Sequence, residues 1–104
     1  MTLSYHMTYE RADRLQILED TLGFTKIVLE VPVVNENKRY CLTSSGILIV
    51  KSLYDDFVIT AFMVTVDQCY YICKLAGKGQ IPPKLHKKIV KNIERHPELL
   101  YISH

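Results

Sequence analysis

The sequence predicts an α+β domain: an N-terminal helix, a four-stranded antiparallel β-meander and short C-terminal helices. The central stretch 39–66, RYCLTSSGILIVKSLYDDFVITAFMVTV, holds the longest apolar runs, which are rich in β-branched residues and separated by turn residues. Segments with helical apolar spacing lie on either side of it. A chain of 104 residues is long enough to bury a core by itself, so we expect a single domain over 1–104.

The first helix is predicted from Thr8 to Leu22. Its apolar residues recur at helical spacing, Thr8 is a suitable N-cap, and Gly23 provides a left-handed stop. Its polar side is predicted to carry Glu10, Arg11 and Arg14, and His6 precedes the helix about one turn from Glu10. The simplest interpretation of these four residues is a solvated face with Glu10 and Arg14 paired one turn apart.

The first long strand is predicted over Lys26 to Val34. Pro32 lies within it, and a proline indicates an edge strand or the end of a strand. Residues 35–38, NENK, form the turn into the central meander.

The first hairpin of the meander allows two registers. A two-residue loop of Ser44 and Ser45 pairs Lys38 with Lys51. A three-residue loop with Gly46 in a left-handed bulge position pairs Arg39 with Lys51 instead. The second register is favoured because it segregates the apolar side chains better, and a slip of one residue exchanges the faces of a whole strand.

The second hairpin is predicted to turn over Leu53 to Asp56. This loop places Lys51 opposite Val58 and Ile49 opposite Thr60, so Lys51 and Thr60 become diagonal neighbours on one face. That mixed face collects Arg39, Cys41, Thr43, Ile47, Ile49, Lys51, Val58, Thr60 and Phe62. It is where we expect a site, although strand-end cations often extend to solvent with no function.

A second helix is predicted to start near Thr65 or Asp67 and to stop before Gly77; continuation of the sheet through 70–73 is the alternative. Cys69 and Cys73 would share one face of this helix. No acidic residue or histidine nearby completes a ligand set, so we expect buried reduced thiols and no zinc. Residues 77–79, GKG, lack the spacing of a phosphate-binding loop.

The last helix opens at Pro83 and ends before Pro97, because the residue preceding a proline disfavours helical backbone angles. Leu85, Ile89 and Ile93 form its apolar stripe. Around this stripe lie Lys84, Lys87, Lys88, Lys91 and Arg95.

Charge is divided unevenly along the chain. Residues 1–73 carry six Lys and Arg against nine Asp and Glu, whereas residues 74–104 carry seven against two. Such a basic half points to an acidic partner, most commonly nucleic acid. No apolar run is long enough to cross a bilayer and the polar start is unlike a signal peptide, so we expect a cytoplasmic protein that has no membrane partner and no cofactor.

The order of elements, with LTSSGILIVKS and FVITAFMVT at the centre, resembles the barnase–EndoU–colicin–RelE type of small metal-independent RNase, especially its phage- and prophage-encoded members. The resemblance implies a sheet built on a hairpin of this form. It also implies a site that gathers cations and a hydroxyl on one face. Here the matching positions are His6, Arg11, Arg14, Arg39, Lys51 and Thr60. The departure from the family layout is that no histidine falls on the predicted active face.

The first functional hypothesis is therefore an RNA-interacting, toxin-like protein that acts as a metal-independent endoribonuclease. Arg39 and Lys51 would stabilise the charged phosphorane, His6 would transfer protons, and Thr60 would hold a phosphate oxygen. Arg11, Arg14 and the cations of the last helix would bind the nucleic-acid backbone.

The alternative hypothesis is a non-enzymatic phage-encoded inhibitor, for example anti-CRISPR-like, that binds a host protein handling nucleic acid. The seven tyrosines suit a protein interface as well as base stacking. Binding of nucleic acid without catalysis lies between these two hypotheses, and it requires only the charge pattern.

Overall fold

A computed structural model describes residues 2–3, 12–23 and 26–102, with side chains described over 15–23 and 26–100. Within these residues, five strands form one sheet: β1 (Thr2–Leu3), β2 (Ile27–Val33), β3 (Lys38–Thr43), β4 (Ile47–Ser52) and β5 (Phe57–Met63). The helices are α1 (Ala12–Leu22), α2 (Val66–Leu75), α3 (Pro83–Arg95) and α4 (Leu99–Ile102).

The sheet has the strand order β1-β5-β4-β3-β2. Strands β2 to β5 form the predicted antiparallel meander, and β2 lies at an edge, as its proline indicated. The α+β class is thus confirmed. The sequence did not predict β1, which pairs with β5 in parallel through Thr2 opposite Phe57 and Leu3 opposite Val58.

Helices cover both faces of the sheet. One face packs Cys41, Ile49 and Ala61 against α1 and α4, in a core centred on Leu18, which is completely buried. The opposite face packs Leu42, Leu48 and Val50 against α2 and α3. We call these the α1 face and the α2 face. Two-sided coverage explains why the central strand β4 begins with four successive buried apolar residues. A half-exposed strand would alternate between buried and exposed residues.

The hairpin between β3 and β4 confirms the register with Gly46 in the bulge. Arg39 pairs with Lys51, and Gly46 has a φ of +88°, in the left-handed region. Inside this turn the Ile47 amide donates to Oγ1 of Thr43 at 3.0 Å, and the Thr43 and Ser45 hydroxyls lie 2.9 Å apart. The buried hydroxyls therefore satisfy each other and one backbone donor of a turn that is closed to water.

The hairpin between β4 and β5 corrects one prediction. Lys51 does pair with Val58, but Val50 pairs with Thr60 and Ile49 with Ala61, because Ile59 is an extra residue at a β-bulge. The expected pairing of Ile49 with Thr60 is wrong. Beyond the bulge the side chains exchange faces, so Thr60 and Phe62 lie on the α2 face, away from the face that carries Lys51.

The predicted limits of α2 and α3 are confirmed. The Thr65 hydroxyl accepts from the Gln68 amide while the Gln68 side chain accepts from the Thr65 amide, which forms a capping box at the start of α2. This helix excludes the alternative of a further strand over 70–73. Helix α3 has Pro83 in its first turn and ends at Arg95, directly before His96 and Pro97.

Candidate nucleic-acid interface

Arg39 and Lys51 lie opposite each other on β3 and β4, as predicted. The Arg39 guanidinium donates from Nε to the Ser52 carbonyl at 2.9 Å and from Nη1 to Oε1 of Glu30 at 2.9 Å. Its Nη2 donates to the carbonyl of Asp55. These contacts join an edge strand, a neighbouring strand and the loop between β4 and β5. Arg39 therefore braces the end of the sheet.

Lys51 is engaged in the same network. Its Nζ lies 3.6 Å from Oδ1 of Asp56, and Nη2 of Arg39 lies at the same distance from that oxygen. The Lys51 side chain is only 12% exposed. Carboxylates of Glu30 and Asp56 thus balance both cations, and this end of the sheet offers little uncompensated positive charge to a phosphate.

Among the other residues predicted for a catalytic face, Thr60 is the one whose side chain the structure describes, and it is not assembled with this pair. Thr60 lies across the sheet on the α2 face because of the bulge. His6 and Arg11 fall outside the described residues, as do the beginning of the predicted first helix and its cap. Arg14 lies in α1, but its side chain is likewise outside the description.

The five cations predicted on the last helix do form one surface. Lys84, Lys87, Lys88, Lys91 and Arg95 follow each other at intervals of three or four residues or side by side, which places them on one side of α3. Four of them are exposed and Lys88 is half-buried. From Lys84 to Arg95 this stripe is about 16 Å long, at a rise of about 1.5 Å per residue. We call it the α3 basic stripe.

The helix that carries this stripe is firmly held. Leu85 and Ile89 pack into the core of the α2 face. Asn92, which is 3% exposed, donates from Nδ2 to the Ser45 carbonyl at 2.9 Å, so the helix is fastened to the hairpin of β3 and β4. This support fixes the backbone positions from which the cations project, which favours recognition of a repeating array of charges.

Like charges one turn apart destabilise a helix by about 0.2–0.5 kcal/mol per pair. The stripe contains several such pairs, including Lys84 with Lys88 and Lys87 with Lys91. Within the described part of the chain, none of its cations forms an ion pair. Packing of the fold does not need this charge, and the charge works against the stability of the helix.

An aromatic depression, which the sequence reasoning missed, opens on the α2 face. Its volume is about 300 Å³. It lies between three adjacent strands and α2, and is lined by Tyr40, Leu48, Phe62, Asp67, Gln68, Tyr71 and Ile72. We call it the α2 groove. The groove could not be predicted, because its aromatic residues Tyr40 and Phe62 are 22 residues apart in the sequence. The bulge in β5 places them on the same face of the sheet.

The three cysteines are free and buried, as predicted. Burial and the neighbouring Cys73 raise the pKa of Cys69 from 9.0 to about 12, and burial, followed by the carboxylate of Glu30, raises the pKa of Cys41. Thiols held neutral in this way are poor nucleophiles and poor metal ligands. The described residues contain no group of three potential metal ligands.

Over the described part of the chain, no helix has the length and apolar character needed to span a membrane. In comparisons with known proteins, no family model, no curated protein and no solved structure matches this chain. The resemblance to small RNases therefore stays a prediction from the sequence pattern.

Proposed function

We propose that the protein binds nucleic acid through the α3 basic stripe, by contacts to backbone phosphates. The observation that carries this proposal is the run of uncompensated, rigidly supported cations on one side of α3. Phosphates repeat along a nucleic acid as the cations repeat along the helix, and their neutralisation releases counterions. Binding of this kind offsets the mutual repulsion within the stripe, which has no other counterpart in the described fold.

We propose binding in preference to cleavage for a physical reason. Cleavage would need Arg39 and Lys51 as free positive charges, but both are engaged by Glu30 and Asp56. The predicted hydroxyl partner, Thr60, lies on the opposite face of the sheet. The geometry thus supports a binding surface better than a catalytic one.

The proposal is tested by replacing Lys87 and Lys91 together with glutamine. Binding of a labelled RNA is followed by fluorescence anisotropy between about 50 and 200 mM salt. We expect weaker binding at every salt concentration. The plot of log affinity against log salt should become shallower, with the magnitude of its slope smaller by roughly 1.4–1.8. Each lost phosphate contact removes about 0.7 from this magnitude for a single strand or about 0.9 for a duplex. The variant should be at least as stable as the wild type, because like-charge pairs are removed.

The matched control is Gln16→Glu together with Asn35→Asp, which lowers the net charge by the same amount at exposed positions outside α3. Its salt slope should equal that of the wild type. If the control loses affinity as the lysine variant does, only the net charge matters and the stripe has no role as a site. Absence of salt-dependent binding by the wild type would remove the proposal altogether.

Cleavage is the narrower form of the RNA hypothesis, and it has its own test. End-labelled RNA is incubated with the protein in EDTA, beside a Lys51→Ala variant whose fold is verified by circular dichroism. Fragments that end in a 2′,3′-cyclic phosphate and disappear with the variant would establish a metal-independent RNase. From the engaged state of Arg39 and Lys51 we expect intact RNA with both proteins.

One observation favours the inhibitor hypothesis as second candidate. Tyr54, at the tip of the loop between β4 and β5, is 83% exposed, and Arg39 braces the same loop through the Ser52 and Asp55 carbonyls. An exposed tyrosine on a rigid loop is a typical anchor in a protein interface. A pull-down that recovers one stoichiometric protein and no RNA, and that fails with Tyr54→Ala, would support this function.

A further inference from the structure

We propose that the α2 groove holds an unpaired nucleobase, so that the protein prefers single-stranded nucleic acid to a duplex. This inference deepens the proposed function and rests on it. The α3 basic stripe would contact the phosphates of a single strand or a duplex alike, whereas the groove would add affinity for the single strand alone.

The groove has a lining that suits a flat ring. Buried Leu48 and Ile72 lie at its base, and three aromatic side chains, Tyr40, Phe62 and Tyr71, line it from β3, β5 and α2. Tyr71 is 57% exposed although it borders an apolar depression. A base stacked on it would cover apolar surface that the fold leaves open to water. Aromatic rings of this kind stack on any base, because every base has a π-face.

The groove also has polar groups in its lining that could pair with the edge of a base. Gln68 and Asp67 line the groove together with the rings. The Gln68 Oε1 is held by the Thr65 amide in the capping box, which orients the carboxamide and leaves its amide hydrogens to donate. Asp67 is exposed and accepts only. A donor beside an acceptor matches the amino groups and ring nitrogens of a base.

Two exposed lysines, Lys74 and Lys78, follow Tyr71 at the end of α2 and just beyond it, and neither forms an ion pair among the described residues. Lys74 borders a shallow depression with Tyr71, and Lys78 borders another with Pro82, directly before α3. On the β3 side, Lys38 lies with Nζ 5.3 Å from the centre of the Tyr40 ring but is paired with a Glu36 carboxylate oxygen at 3.2 Å. Lys74 and Lys78 can meet the phosphates next to a base, which favours a nucleic-acid strand over an apolar peptide as the occupant.

The test compares the affinity for a single-stranded RNA of roughly 12 nucleotides with the affinity for a blunt duplex of the same length. This length lets a strand contact lysines outside the groove while one base occupies it. Tyr71→Ala should weaken binding of the single strand roughly 5- to 150-fold, as expected for loss of one stacked base, and leave duplex binding unchanged. Tyr71→Phe should restore the single-strand affinity, because the ring is kept. A 5-iodouridine in the single strand should crosslink to the α2 peptide that contains residue 71.

Tyr70→Ala is the matched control, since Tyr70 is the preceding residue of the same helix, is 47% exposed and does not line the groove. It should bind both probes as the wild type does. The inference is overturned if Tyr71→Ala binds the single strand with unchanged affinity, or if Tyr70→Ala loses as much. In either case the proposed function would survive, provided that the lysine variant still binds both probes weakly. Failure of the wild type to bind either probe would overturn both proposals together.

Discussion

At the turn between β3 and β4, one glycine meets two separate demands. Its φ of +88° lies in the left-handed region, where a side chain is strained. A Cβ at this position would also come within 2.7 Å of Nδ2 of Asn92, the atom that donates to the Ser45 carbonyl. Gly46 thus permits the turn and, at the same time, the attachment of α3.

Replacement of Gly46 by alanine should therefore cost more than strained backbone alone. Gly77 is the matched control, because it has a similar φ of +80° but no atom within 4 Å of its virtual Cβ. We expect Gly77→Ala to lower the free energy of unfolding by about 1–2 kcal/mol. Gly46→Ala should lower it by roughly 1–3 kcal/mol more, through overpacking against Asn92. Urea denaturation of both variants measures this difference.

A double-variant cycle attributes the extra cost. In the Asn92→Ala background the clash is gone, so Gly46→Ala should cost about as much as Gly77→Ala. If Gly46→Ala costs the same in both backgrounds, the Asn92 side chain moves aside without a measurable loss of stability.

The candidate site was only partly predictable at this scale. The sequence correctly placed Arg39 beside Lys51, because turn chemistry at Gly46 determines the register. It did not predict that Glu30 and Asp56 engage them, since these carboxylates come from another strand and a loop. The cations of α3 were predicted because helical spacing alone places them on one side.

Helix α2 illustrates how an element determines the chemistry of its side chains. Cys69 and Cys73, one turn apart, point to the same side and are both buried against the sheet. Burial, with Cys73 as neighbour, raises the pKa of Cys69 to about 12. The neutral thiol is therefore favoured in the folded state, whereas in the unfolded chain the ordinary value of 9.0 applies.

Stability should consequently depend on this thiol at high pH. Below pH 9 both states hold the proton and the contribution of Cys69 is complete; as pH rises from 9.0 towards about 12, the unfolded state loses its proton first, so stability falls. Relative to the wild type, Cys69→Ala should lack this part of the decline. The two unfolding free energies should therefore converge with rising pH, as followed by urea denaturation.

Ile72→Val controls for lost packing in the same helix, because Ile72 is buried and does not titrate. Its offset from the wild type should stay constant over this pH range. A constant offset for Cys69→Ala as well would mean that the thiol titrates alike in both states.

Among the strands, β5 marks the limit of pattern reasoning. Its sequence FVITAFM alternates poorly, because the strand carries apolar side chains on both faces and contains an extra residue at Ile59. Nothing local distinguishes a bulge there from a regular strand. The exchange of faces beyond it displaced Thr60 from the expected site and created the α2 groove.

For the molecule as a whole, the class and the meander were predictable, since hydrophobic pattern and turn residues between adjacent strands are local signals. The covering of both faces was not, because it depends on where helices distant in sequence pack. The parallel β1 was likewise invisible: two residues carry no periodicity, and their partner lies 55 positions later.

The bond between Asn92 and Ser45 joins positions that are 47 residues apart. Contacts within the meander, in contrast, close only short loops, so they form at lower entropic cost. The meander should therefore assemble early on the folding pathway, and α3 should dock after the rate-limiting step. Interactions made after that step retard unfolding and leave the folding rate nearly unchanged. The Asn92 amide, together with the packed Leu85 and Ile89, would then affect how long the native molecule persists more than how fast it forms.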